Sequence, residues 1–116
     1  MGDNQEMPMT ANIQQKYTKD RTFVRSWMFG KGWYAAIRAM DYAEAYHTGT
    51  RKDGETPAFH HQVQIALNAR TMVDKMLEPE TTLAAIWLHD VCEDFDVLYS
   101  DIEARFGKRI RTVVEL

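Results

Sequence analysis

Leu83-Ala84-Ala85-Ile86-Trp87-Leu88 runs without a break into His89-Asp90-Val91-Cys92-Glu93-Asp94. The first half is the longest apolar run in the chain and leaves no polar face at helical spacing. It therefore predicts a helix over about Thr82 to Cys92 in the middle of a bundle. The second half sets one imidazole and three carboxylates at the end of that helix. His89 and Glu93 are four apart, Asp90 and Glu93 three, and Asp90 and Asp94 four, so these side chains occupy neighbouring faces of one turn. Such a cluster repels itself unless a cation or protons neutralise it. The plainer alternative is a dipole and capping arrangement at the helix end, with an acidic loop beyond it.

Working outward, His60-His61 opens a further predicted helix, about Ala58 to Met76, with Phe59, Val63, Ala66, Leu67, Val73 and Leu77 as its buried face. If this helix packs on the first, one of the two histidines can face His89 and Asp90. A mixed imidazole and carboxylate set suits Mn²⁺, Fe²⁺ or Zn²⁺. Upstream, Trp33 to Tyr46 carries apolar residues at i, i+3, i+4 and i+7, and Lys19 to Phe29 forms a shorter amphipathic stretch closed by Gly30 and Gly32. Residues 1–16 show weak periodicity and read as a flexible tail. Thr48 to Pro57 is a charged loop around Gly54. Thr81 is expected to cap the apolar helix behind Pro79. Ser100-Asp101-Ile102-Glu103 reads as a capping box opening a fifth helix that ends at Gly107, and a sixth starts near Lys108. No strand-like alternation stands out, so the expected fold class is an all-α bundle of five to six helices.

With 116 residues, 45% of them apolar and 27% charged, the chain suits one globular domain and argues against global disorder. A net charge of −3 gives no basic excess for nucleic acid, and Lys108, Arg109 and Arg111 read as a solvated face. An apolar run of six residues falls well short of the roughly 20 that a membrane span needs. Met1 to Asn12 is polar and does not read as a secretory signal. Cys92 is the one cysteine, which excludes an intrachain disulfide and implies a reduced, cytoplasmic setting. It reads as a small buried filler rather than a ligand. Trp27, Trp33 and Trp87 read as core. Tyr46 and His47 read as a helix end with a favourable histidine, or as a lining of the loop beyond.

Four segments together carry a resemblance. Ala43-x-x-Tyr46-His47-x-Gly49-x-Arg51-Lys52-Asp53-Gly54 comes first, then His61-Gln62-Val63-Gln64-Ile65-Ala66. Ala84 through Asp94 and Ile102-x-x-Arg105-Phe106-Gly107 follow. In this order the chain, from about Trp33 to Leu116, resembles the HD-domain superfamily, specifically the hydrolase domain of RelA/SpoT-type enzymes and the small alarmone hydrolases. The resemblance implies an all-helical domain over 17–116 that removes the 3′-pyrophosphate of ppGpp and pppGpp, usually with Mn²⁺. Residue by residue, it implies His61, His89 and Asp90 as metal ligands. Glu93 and Asp94 would position or activate the attacking water, and Arg51 and Lys52 would meet a guanine nucleotide.

His61-Gln62 fits the family's histidine-proline segment in phase, with one extra residue in the Gly54–Phe59 loop and glutamine in place of proline. Counting from Arg51 without an insertion selects His60 instead. The family's further aspartate ligand lies several dozen residues beyond the HD pair, whereas the sequence ends 26 residues after Asp90, with its last helix still apolar. The expectation is therefore a fragment, or an end that docks on a missing segment or a second copy. The alternatives to the alarmone reading are another HD phosphohydrolase acting on a nucleotide, or a catalytically silent module that binds a nucleotide or a partner.

Overall fold

The computed structural model describes residues 9–116. Six helices follow in order: α1 (Met9–Gly30), α2 (Tyr34–Tyr46), α3 (His60–Arg70), α4 (Pro79–Phe95), α5 (Tyr99–Phe106) and α6 (Lys108–Glu115). A single 3₁₀ turn, Val73–Lys75, lies between α3 and α4. Among the described residues the backbone pairs as a bridge only between Thr50 and Pro57, so the all-α expectation holds.

α4 is the central element and packs against α2, α3 and α6. The reason is compositional. Leu83, Ala84, Trp87, Leu88 and Val91 are fully buried, and they cover more than one face of the helix. Trp87 stacks on Phe59, with ring centroids 5.4 Å apart, where the chain enters α3. That contact locks the start of α3 to the middle of α4. Small residues on α2 (Ala36, Ala39 and Ala43) are buried as well and let its backbone approach.

Of its described side chains, α1 buries a narrow stripe, Tyr17, Val24 and Met28. Its polar flank is tied to α2 by ion pairs: Arg21 clamps Glu44 through two nitrogens at 2.5 and 2.6 Å, and Arg25 meets Asp41 at 2.8 Å. α1 starts at Met9, ahead of the Lys19 that the apolar spacing implied; in that added stretch Tyr17 is buried and donates its hydroxyl to Glu44 at 3.2 Å, and Lys16 pairs with Asp20 at 2.6 Å. Of the expected tail, residues 9–16 lie in this helix and residues 1–8 lie outside the described residues.

Other helix ends also differ from expectation. Pro79 itself occupies the first turn of α4 behind Glu78, so Thr81 is not the cap; proline lacks only an N–H that is unpaired there anyway. The Ser100–Glu103 capping box does not form. α5 starts at Tyr99, and Glu103 is engaged by Arg111 at 3.0 Å instead of reaching back. The expected long third helix breaks after Arg70. There the Thr71 hydroxyl donates to the Asn68 carbonyl and the backbone tightens, leaving Leu77 99% exposed rather than in the core. Trp27 and Trp33 meet edge to face at the margin of the core, half-buried, while Trp87 is fully buried.

Candidate metal centre and cleft

The C-terminal end of α4, the N-terminal end of α3 and the 48–59 loop enclose one cleft of about 720 Å³. The loop is braced from within. Arg51 N–H donates to the Thr56 carbonyl at 2.8 Å and Ala58 N–H to Gly49 at 3.0 Å. Asp53 Oδ1 accepts from the backbone N–H groups of Glu55 and Thr56, each at 2.9 Å, and its Oδ2 accepts from the Thr56 hydroxyl at 2.6 Å. These bonds, the hydroxyl's first, hold the Asp53 carboxyl down at about 2. Gly49 supplies the left-handed turn (φ 82°) with which the chain leaves α2. The braced loop brings Arg51 and Lys52 to the wall of the cleft, and neither makes an ion pair among the described residues.

The facing wall carries His61 and Gln62 from α3 and Asp90 and Asp94 from α4. Asp90 is the hub. Its Oδ2 accepts from Gln62 Nε2 at 2.8 Å, and its Oδ1 lies 3.2 Å from His89 Nδ1. His89 Nε2 in turn lies 3.4 Å from Glu93 Oε2. His89, Asp90 and Glu93 each offer one ligand atom within 4.8 Å of the others, a spread that one divalent cation spans. The nitrogen and oxygen donors of this set fit such an ion; of the three, Asp90 also lines the cleft, whereas His61 lines the cleft but lies outside this converging group.

The two adjacent histidines part company. His61 lines the cleft. His60 turns toward α1, its ring 6.1 Å from that of Tyr17 and its Nδ1 buried without a partner. Burial, with Lys16 nearby, holds the His60 imidazole below its ordinary range. Cys92 is half-buried against the core, and burial pushes its thiol up. The basic cluster at α6 is absorbed by ion pairs: Arg109 with Glu78, and Arg111 with Glu103 and Glu115.

Gln62 was given no role in the cleft from the sequence, and His47 was read either as a helix end or as a lining of the loop. His47 combines both readings open to it: Nδ1–H donates to the Ala43 carbonyl at 2.9 Å as α2 ends, while the residue also lines the cleft. Its ring is held between Phe59 and Phe95. Gln62 holds Asp90 across 28 residues of sequence, a pairing that no local spacing announces.

The profile of the family described as HD domain matches residues 39–116, which includes the loop, His61 and the whole α4 cluster. The chain belongs to the HD-domain family. This HD-domain chain is 33% identical over 78 residues to a guanosine-3′,5′-bis(diphosphate) 3′-pyrophosphohydrolase of Aquifex aeolicus, covering 67% of the chain and 11% of that protein. It is 39% identical over 72 residues to the bifunctional (p)ppGpp synthase/hydrolase SpoT of Escherichia coli, covering 62% of the chain and 10% of that protein. The resemblance to the RelA/SpoT-type hydrolase region is thereby borne out. The chain spans about a tenth of the length of the curated relatives it matches. No solved structure gives a significant match. None of the described helices is long and apolar enough to cross a membrane.

Proposed function

We propose that this HD-domain chain carries the hydrolase centre of a (p)ppGpp 3′-pyrophosphohydrolase. The observation that supports it most is one cleft lined by His61, Asp90 and Asp94 together with Arg51 and Lys52, which make no ion pair among the described residues. A phosphorylated purine matches that polarity. Lys52 offsets phosphate charge and the planar Arg51 guanidinium stacks on a base. His61, His89 and Asp90 are the residues that would hold a divalent ion, Mn²⁺ first, with Fe²⁺ or Zn²⁺ as alternatives. Bound there, the ion lowers the pKa of water toward neutrality and polarises a phosphoryl oxygen.

In this reading Glu93 and Asp94 orient the attacking water and accept its proton. Water oxygen bonds to the phosphorus carried by the 3′ oxygen. The P–O3′ bond breaks with its electron pair leaving on O3′, which takes up a proton, and pyrophosphate departs. The free thiol of Cys92 suits the reduced cytoplasm in which such a nucleotide would be met. The test is pyrophosphate release from ppGpp by purified protein with Mn²⁺, measured beside Asp90→Ala. Release by the wild type, lost in the variant, is expected. Binding of Mn²⁺ and ppGpp without release would replace the hydrolase by a silent nucleotide-binding module.

A further inference from the structure

Gln62 stands where the resembling family has proline, yet it is 96% buried and engaged with the hub of the cleft, at 4% exposure. Its Nε2 donates to Asp90 Oδ2 at 2.8 Å, and its Oε1 is buried with no partner among the described residues. An ionised carboxylate only accepts, so the amide must present its NH₂ to Asp90, which leaves Oε1 as the unpaired end. A side chain serving packing alone would be better replaced by an apolar one of the same size, since a buried oxygen without a donor is unfavourable. The two oxygens of Asp90 are thereby divided. Oδ2 is held from α3, and Oδ1 stays beside His89.

We propose that Gln62 is the positioning residue of the cation site: by holding Asp90 at Oδ2 it presents Oδ1, in a fixed direction, to a divalent cation. The inference rests on the reading of this cleft as a cation site. It makes α3 contribute two neighbouring residues, His61 as a ligand and Gln62 as the support of a ligand on α4.

The test compares wild type with Gln62→Met, which keeps the volume and removes both the donor and the orphaned oxygen. Mn²⁺ affinity is read from the free-ion EPR signal, and the melting temperature is measured without cation. The expected result is about a 10- to 100-fold loss of Mn²⁺ affinity, the usual scale for a residue that supports a ligand, with a cation-free melting temperature unchanged or raised. Unchanged affinity, whatever the melting temperature does, overturns the inference while leaving the cation site standing. A wild type that binds no Mn²⁺ overturns the cation reading and the inference with it. Should the variant not fold, the Gln62 side-chain amide resonances of the wild type decide. They shift on Zn²⁺ addition and on Asp90→Asn substitution if the inference holds, and insensitivity to both overturns it.

Discussion

At the N-terminal end of α4, Glu80 reaches across to accept the Ala35 N–H of α2 at 2.8 Å, and Glu78 is clamped by Arg109. At its C-terminal end, Glu93 and Asp94 sit at the negative pole of the helix with no basic residue in the last turn. The same residue types are thus favourable at one end and unfavourable at the other, because the helix dipole changes sign between them. Carboxylates at the first end tie helices together. Those at the second end gain nothing from the helix dipole: Asp94 lines the cleft, and Glu93 lies 3.4 Å from His89 Nε2.

The largest effect that sharpens this contrast is Asp90→Ala, expected to cut pyrophosphate release by about 10³-fold in a phosphate-product assay while the helical circular dichroism is retained. In the middle of the helix, where neither end's logic applies, Trp87→Ala empties a fully buried site stacked on Phe59. Chemical denaturation should register a loss of about 3–5 kcal/mol. Glu80→Ala leaves the Ala35 N–H unpaired at the start of α2 and should cost about 1–2 kcal/mol. Asp94→Asn is expected to act in the opposite direction, raising the stability of cation-free protein by about 0.3–1 kcal/mol. A destabilised Asp94→Asn, measured the same way, would break the comparison.

The smallest effect is a pH dependence from His60, whose folded-state pKa burial lowers. The unfolded chain binds the proton first, so this contribution is full above about pH 6.5 and is lost as pH falls through the folded value. Melting curves across that range should lose the acid-side slope in His60→Phe.

Much of this was legible in the sequence, for identifiable reasons. The run from Leu83 to Leu88 has no polar face, so α4 had to be central, and its charged end had to lie at the surface of the bundle. The loop around Gly54 announced itself by Arg51, Lys52 and Asp53 next to glycine. What stayed hidden depends on partners distant in sequence. Glu103 looked free to close a capping box until Arg111 took it. Tyr17, ahead of the expected start of α1, finds the acceptor for its hydroxyl in Glu44 of α2. The choice between His60 and His61 turns on the phase of α3, since neighbouring helical residues point about 100° apart. The packing of Phe59 on Trp87, the burial of Val63 and Ala66 and the Gln62–Asp90 bond set that phase. Gln62 was visible merely as a substitution for proline; its pairing with Asp90 belongs to the tertiary structure.

The central claim is that one divalent ion joins α3 to α4 through His61 and His89 together with Asp90. The most direct measurement counts imidazole nitrogens coupled to bound Mn²⁺ by pulsed EPR on protein carrying ¹⁵N-labelled histidine. Two coupled nitrogens are expected in the wild type and in His60→Ala, and one in His61→Ala. A wild-type signal from one histidine alone, or the loss of a nitrogen in His60→Ala with none lost in His61→Ala, would contradict the account.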